Sequence, residues 1–367
     1  MSISLSWDSV PKLIPHGVNC GWMSSVAAFN NNYYVTFRGS ADDGDIDQRL
    51  FQISTSQSSK GSTWNELKNL GKTTGFNSHV GPSSAIISQP GSDNTIIKRL
   101  GLLFHGSTGY APDSRIYYAL MDNSENFYKT PSGATLETIP MGRTLGYPTM
   151  VDADGVVYAA FQSPGTAPFV NEQVYYTVAL HPRDLVSEPQ LQWGYPQPVA
   201  GAFSSFYPCI SYNPLTKEFY LVFGGSGNDK NLYWTYGTAF TSPENPAIAW
   251  KGVKQILTPE TSFYGASVVF VPNPSDNTKG NMVMFWASNI DGQTIKYSIL
   301  DDTSKTWSAP ASVPNGPKLE SKANATPSIC VSEDGSTLFM IFKGTQHGVN
   351  STYTEAQMYY QYATING

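Results

Sequence analysis

Six short motifs recur at nearly even spacing along the 367-residue chain and constrain its fold more than any other feature. Each begins with a phenylalanine that closes an apolar run, as in Phe-Arg-Gly-Ser at 37–40, and a polar loop follows. The six phenylalanines are Phe37, Phe104, Phe161, Phe223, Phe285 and Phe342, which lie 67, 57, 62, 62 and 57 residues apart. A fixed period is typical of chains that repeat one supersecondary unit. Six copies of one unit are therefore predicted.

Each unit predicts four short strands. The first follows a loop, as at Tyr147, and the second is the apolar run that ends at the repeated phenylalanine. The third carries aromatic residues in short alternation, as at Tyr117–Tyr118. The second unit lacks the tryptophan that marks a fourth strand elsewhere, and it is expected to use the segment around Leu136. That tryptophan is present in four units, at Trp64, Trp193, Trp250 and Trp307.

The two ends of the chain together supply one complete unit. The last unit stops at Gly367 after its third strand, whereas Leu5–Leu13 carries the tryptophan and apolar residues of a fourth strand with no unit before it. Six repeated units, the last of which takes its fourth strand from the N-terminal segment, predict an all-β fold. This fold is a six-bladed β-propeller of four-stranded blades. Closure of the ring hides strand edges that an open array exposes. We expect one domain, 1–367, with blades at 14–72, 73–140, 141–200, 201–258, 259–314 and 315–367, the last completed by 1–13.

Composition argues against several classes of function. Charged residues make up 14% of the chain and the net charge is −6, so no basic field attracts nucleic acid. No run of 18 apolar residues exists, which argues against membrane insertion. The first residues show no secretory signal, so we expect a cytoplasmic protein or one exported by a non-classical route. Cys20, Cys209 and Cys330 have neither disulfide nor zinc spacing and are expected to be buried thiols, and no cofactor or metal is predicted.

Function is expected on the face that carries the loops between second and third strands and between fourth and next first strands. The residue after each repeated phenylalanine varies widely in chemistry, so we expect its side chain to face solvent or a pocket. These residues are Arg38, His105, Gln162, Gly224, Trp286 and Lys343.

The loops that lead into the first strands end with an aromatic residue in four units. Aromatic faces pack against the C–H faces of sugar rings, and polar neighbours bind hydroxyls. The structural alternative is that these aromatic side chains cap the blade interfaces. Nearby polar residues include His16, His79, Ser204 and Ser205. The predicted ligand-binding residues are Trp22, Arg38, His105, Arg143, Tyr147, Tyr207, Tyr264 and Trp286.

Two acidic stretches are candidate ion sites. Asp42–Asp47 is rich in carboxylates but matches no calcium-loop spacing, so a solvated loop is favoured. Asp152–Gly155 is typical of a hairpin turn.

The order of apolar strand, Phe-x-Gly-Ser, polar loop, Ile-Tyr-Tyr strand and Trp strand resembles that of sialidase-like and sugar-binding β-propellers, above all microbial propeller lectins. The segment Gln57–Trp64 resembles the sialidase Asp-box, Ser-x-Asp-x-Gly-x-Thr-Trp, in its Gly, Thr and Trp. Gln57 replaces the serine of that motif and Ser59 replaces the aspartate. The Arg-Ile-Pro motif of sialidases is absent from the sequence. The resemblance covers the whole chain as a repeat pattern and implies architecture more than activity.

The resemblance implies a non-catalytic lectin with several unequal sites for glycans or glycoconjugates; homo-oligomerisation is left open. A sialidase-like hydrolase with an axial site is the alternative, in which Arg38, Arg115 and Arg143 would approach an anionic group. Glycosidases also need two carboxyls at a defined separation. Those present on the expected loop face are Glu260, Glu320, Asp42 and Asp43, none of which pairs recognisably. A protein-interaction scaffold or toxin component is the third hypothesis.

Overall fold

Each predicted unit forms an antiparallel sheet in the computed structural model. The structure describes residues 3–8, 10–15, 20–39, 48–90, 95–108, 111–129, 136–180, 191–240, 247–262, 264–290, 294–314, 326–345 and 356–367. Six sheets surround a channel that is lined by the first strands of all six blades, which confirms the six-bladed β-propeller. The predicted blade limits stay a prediction.

In blades 1 to 5 the strands lie side by side in chain order, and in blade 6 the N-terminal strand lies next to the third strand. Several fourth strands are split in two. Blade 1 contains Cys20–Phe29, Asn32–Gly39, Leu50–Ser56 and Lys68–Asn69, and blade 2 contains Ser78–Pro90, Ile96–Thr108, Ala111–Met121 and Glu137–Arg143. Blade 3 contains Thr149–Ala153, Val156–Gln162, Gln173–Leu180, and Gln192–Trp193 with Gln197–Phe203. Blade 4 contains Cys209–Asn213, Glu218–Gly224, Asn231–Phe240, and Ala247–Trp250 with Lys254–Thr261. Blade 5 contains Ala266–Asn273, Asp276–Ala287, Ile295–Asp301, and Thr306–Trp307 with Ala311–Ser312. Blade 6 contains Ser328–Val331, Thr337–Thr345, Ala356–Asn366, and Ser4–Trp7 with Lys12–Leu13.

The repeated phenylalanines form the scaffold within each blade. All six are buried, and each stacks on the aromatic residue opposite it on the third strand. Ring centroids lie 5.7–6.2 Å apart in these pairs. Cross-strand aromatic pairs stabilise a sheet beyond the area they bury. The pairs are Phe37–Phe51, Phe104–Tyr117, Phe161–Tyr175, Phe223–Tyr233, Phe285–Tyr297 and Phe342–Tyr359.

The repeated tryptophans join neighbouring blades. Trp193 of blade 3 meets Tyr118 of blade 2 edge-on with centroids 5.7 Å apart. Trp64 precedes the fourth strand of blade 1 instead of lying in it. In blade 2 the segment directly after Leu136 forms the fourth strand, as predicted. Further tryptophans make edge-on contacts between blades in the pairs Trp250–Tyr176, Trp307–Trp234, Trp64–Tyr360 and Trp7–Phe285.

The N-terminal strand closes the ring as predicted. Ser4–Trp7 pairs with the last strand of blade 6, with Ser4 opposite Asn366 and Trp7 opposite Ala363. The side-chain amide of Gln361 also donates to the Asp8 carbonyl over 2.7 Å. Both ends of the chain are therefore held in one sheet.

Two smaller predictions concern the cysteines and a turn. The three cysteines are free thiols; Cys20 and Cys330 are buried as predicted, whereas Cys209 is only half-buried. Asp154 and Gly155 form a tight turn with positive φ angles, and the Asp152 carboxylate accepts a hydrogen bond from the Gly155 amide. The Asp42–Asp47 stretch lies outside the described residues. Within the described chain, no helix combines the length and the apolar character that crossing a bilayer requires.

Candidate functional site

An aromatic cluster lies at the loop end of the channel, and five blades contribute to it. We call it the axial cluster, and it brings together four of the eight predicted ligand-binding residues. Apolar side chains in such a position can contact a ligand that enters from the loop face. The members are Trp22, Met23, Val80, Tyr147, Phe206, Tyr207 and Tyr264.

Tyr147 and Tyr207 form the buried floor of the axial cluster. Their rings meet edge-on with centroids 4.1 Å apart, and Tyr147 is 2% exposed. The Tyr147 hydroxyl donates to the Val80 carbonyl over 2.9 Å and accepts from the Met23 amide, so this side chain spans from blade 3 to blades 1 and 2. Burial raises the pKa of Tyr147 well above its usual range, so the phenol stays protonated. A Cβ at Gly81 would lie 2.6 Å from the Tyr147 ring, so only glycine leaves room for it.

Trp22, Phe206 and Tyr264 form a half-buried layer above this floor. Trp22 lies three residues before Ser25, which pairs with Thr36, and Phe206 lies three residues before Cys209, which pairs with Val222. The two rings therefore precede equivalent positions of their first strands. In blade 5 one additional residue, Gly265 with φ of +89°, separates the aromatic residue from the first strand. Tyr264 therefore lies in this outer layer as well. The Phe206 ring is edge-on to Tyr264, with centroids 5.9 Å apart.

Sequence reasoning missed Phe206. In blade 4 the aromatic residue next to the recurring proline is Tyr207, which the pattern predicts as a ligand contact. The structure buries Tyr207. The signal that could have found Phe206 is its place before Tyr207-Pro208, since Trp22 precedes Met23-Ser24 in the same way.

The expectation that the residues after the repeated phenylalanines face solvent or a pocket is wrong for Arg38, His105, Gln162 and Trp286. Arg38 and Gln162 are 5% exposed, and His105 and Trp286 are 0% exposed. In blade 1 the pairs Cys20–Gly39 and Ser24–Phe37 leave three first-strand residues opposite Arg38 alone. Blade 2 repeats this arrangement at His105. A bulge of this kind bends its strand and re-aims the side chains of the extra residues.

Cations lie beside two rings of the outer layer. The Arg38 guanidinium lies 5.9 Å from the centroid of the Trp22 ring and donates to the His79 carbonyl. The Lys230 ammonium lies 4.7 Å from the Phe206 centroid. Cations over aromatic faces are attracted by the ring quadrupole.

The other predicted residues serve the scaffold or lie outside the axial cluster. Trp286 donates through its indole N–H to Glu260 over 3.3 Å, and Lys296 makes a 2.7 Å ion pair with the same carboxylate. Arg143 bonds the Gly142 carbonyl and is not part of the cluster. His105 packs edge-on against His79, and desolvation with the neighbouring histidine lowers its pKa to about 4.

Of the four carboxylates predicted on the loop face, Glu260 is engaged and the other three lie outside the described residues. Glu260 accepts from Lys296 and from the Ser288 hydroxyl. Glu172 accepts from the Ser205 hydroxyl over 2.7 Å. Asp42, Asp43, Glu320 and His16 fall outside the described residues. Among the residues that the structure describes, no group of three or more His, Cys, Asp or Glu is arranged to hold a metal ion.

The segment that resembles an Asp-box joins blade 1 to blade 6. The Gln57 side-chain oxygen accepts from the Glu333 amide over 2.9 Å, and its amide donates to the Glu333 carboxylate over 3.0 Å. The residue that replaces the motif's serine thus forms an inter-blade link.

The fold is shared with sialidase-like propellers. No protein-family model matches the chain, and no curated sequence matches it. A protein of unknown function from Dyadobacter fermentans is similar with a TM-score of 0.59 and 10% identity, covering 100% of both chains. A subtype N11 neuraminidase-like protein of the strain A/flat-faced bat/Peru/033/2010 (H18N11) is similar with a TM-score of 0.56 and 9% identity, over 100% of this chain and 95% of that one. The intramolecular trans-sialidase from Ruminococcus gnavus is similar with a TM-score of 0.51 and 9% identity, over 96% of each chain. At these identities the likeness concerns the fold alone.

Proposed function

We propose that the protein is a carbohydrate-binding protein whose glycan site lies on the loop face, above the axial cluster. The observation that carries the proposal is the convergence of Trp22, Phe206 and Tyr264, half-buried, from three blades onto one floor. Aromatic rings at this exposure offer flat apolar faces for sugar C–H groups. The Lys230 ammonium lies 4.7 Å from the centroid of the Phe206 ring and adds positive charge beside this layer.

Binding without turnover is supported by how the loop end of the channel is filled. The rings of Tyr147 and Tyr207 stand where an axial substrate would enter, and the cavity beneath them has a volume of about 190 Å³. Glu260 is already held by an ion pair and by hydrogen bonds. A loop-face lectin therefore fits the described residues better than an axial hydrolase.

A glycan array followed by calorimetry tests the proposal. The wild type is expected to bind at least one saccharide with millimolar or better affinity, and Phe206→Ala should weaken that binding. The matched control is Phe240→Ala, because Phe240 is 61% exposed at the opposite end of the third strand of blade 4. Absence of saccharide binding at millimolar concentration, or equal effects of both variants, contradicts the proposal.

Aryl glycosides separate a lectin from a hydrolase. The expected result is binding of saccharide with no release of the aryl group across α- and β-linked sialosides, fucosides, galactosides and arabinofuranosides. If the purified protein hydrolyses an aryl glycoside and a loop-face variant does not, the protein is a glycosidase and the proposed lectin function is wrong.

A further inference from the structure

A bulge in the first strand of blade 1 presents Trp22 to the loop face. Cys20 pairs with Gly39 and Ser24 with Phe37, so the residues 21–23 oppose Arg38 alone. A bulge interrupts the ladder and re-aims a side chain, and its backbone groups must find other partners. Trp22 is the central residue of this bulge.

Side chains from three blades bind the backbone of the bulge. Lys343 of blade 6 donates to the Gly21 carbonyl over 3.1 Å. The Cys20 thiol donates to the Trp22 carbonyl over 2.8 Å. The Met23 amide donates to the hydroxyl of Tyr147 from blade 3, and that hydroxyl in turn donates to the Val80 carbonyl of blade 2. The bulge is thus fixed largely from outside its own sheet.

We propose that Tyr147 is a positioning residue for Trp22, which holds the indole ready to stack on a sugar. The Trp22 carbonyl and the Met23 amide belong to one planar peptide unit. Because the Cys20 thiol and the Tyr147 hydroxyl hold its two sides, the direction of the Trp22 side chain is set before a ligand arrives. Pre-organised contacts lose less freedom on binding and therefore bind more tightly. Tyr147 itself is buried and acts only through this peptide unit.

This assignment rests on the proposed glycan-binding function, but its contacts are independent of that function. Phe206 differs from Trp22, since its amide bonds the Ser204 hydroxyl over 3.1 Å within the same loop. We call the hydrogen bonds of the Tyr147 hydroxyl and the Cys20 thiol to the Trp22–Met23 peptide unit the clamp. The clamp holds Trp22 and not Phe206, so we expect Trp22 to contribute most to affinity.

Tyr147→Phe tests the clamp, because it keeps the ring and removes only the hydroxyl. The matched control is Tyr176→Phe, which also removes a buried hydroxyl that bonds two partners, the Ile248 amide at 3.0 Å and the Gln197 side chain at 2.8 Å. The readouts are thermal unfolding, calorimetry with methyl glycosides of L-fucose, D-galactose, D-mannose and N-acetyl-D-glucosamine, and the indole N–H resonances in a ¹H–¹⁵N spectrum. Trp22→Phe assigns the Trp22 resonance by its loss.

Both hydroxyl deletions are expected to lower the unfolding temperature, but only Tyr147→Phe should move the Trp22 indole resonance. It should also weaken binding of the best glycoside about three- to tenfold, as the loss of one or two hydrogen bonds implies. An unmoved Trp22 resonance, or equal loss of affinity in both variants, overturns the clamp and leaves the proposed function standing. If the wild type binds no glycoside, the proposed function fails. The Trp22 indole resonance of Tyr147→Phe still shows whether Tyr147 positions Trp22. If Tyr147→Phe does not fold, Cys20→Ala removes the other anchor, and an unmoved Trp22 resonance there overturns the proposal.

Discussion

His105 is expected to make the protein acid-sensitive, and replacing it with phenylalanine should remove that sensitivity. The imidazole is fully buried, and neither ring nitrogen has a hydrogen-bond partner within the described chain. Its edge-on contact with the His79 ring, at 5.6 Å between centroids, can be kept by a phenylalanine. Desolvation is the main cause of the lowered pKa, the nearby His79 adds to it, and Asp113 opposes it.

The sign of the effect follows from the two protonation states. The pKa of His105 is about 4 in the folded protein against 6.5 ordinarily. Between those values the unfolded chain holds a proton that the folded protein does not, so stability falls as pH falls. At about 1.36 kcal/mol per unit the full penalty is about 3 kcal/mol, of which about 2 kcal/mol is expressed between pH 7 and pH 5.

Urea unfolding at pH 7, 6 and 5 measures this difference. The wild type should lose about 2 kcal/mol more free energy of unfolding than His105→Phe over that range. Asp152, whose pKa burial raises to about 6, acts in the opposite direction, but it is common to both proteins and cancels in the comparison. Parallel pH dependences of the two proteins would refute the reasoning, because they would mean that His105 titrates alike in both states.

Three further changes test the scaffold. Trp193→Ala removes the edge-on contact with Tyr118 between blades 2 and 3 and should cost about 3–5 kcal/mol in urea unfolding, whereas Trp193→Phe should cost markedly less. Gly81→Ala places a methyl group against the Met23 carbonyl and 2.6 Å from the Tyr147 ring, so a clear fall in unfolding temperature is expected; an unchanged value would mean that the floor yields easily. Removal of residues 1–8 uncovers the edge of the last strand of blade 6 and should cause aggregation in size-exclusion chromatography, while a monomeric, fully folded product would show that closure is dispensable.

The architecture could be predicted because its signals are local and repeat six times. The period of the phenylalanines, the aromatic third strand and the unpaired Trp7 segment together indicate the ring and its closure. Trp64 shows the limit of this pattern, since the same residue type lies just before its strand in blade 1.

The site could be predicted only in part because it depends on strand register, which one sequence does not reveal. The varied chemistry at the positions of Arg38 and His105 predicts exposed side chains. Both are buried, and a bulge on the neighbouring strand lies opposite each of them. Bulges follow from contacts between distant segments, such as Tyr147 with Met23, and no local pattern marks them. The ligand-binding roles of the eight residues stay predictions.

Closure of the ring within blade 6 has a consequence for how the chain reaches its native state. The pair Ser4–Asn366 joins residues that are separated by almost the whole chain. During synthesis the Trp7 segment must wait, without its native partner, until the third strand of blade 6 has left the ribosome. Its apolar face is accessible to chaperones or to other nascent chains throughout that interval. The last step of folding is therefore also the step most exposed to competition, and slowing translation near the C-terminus should lengthen that exposure.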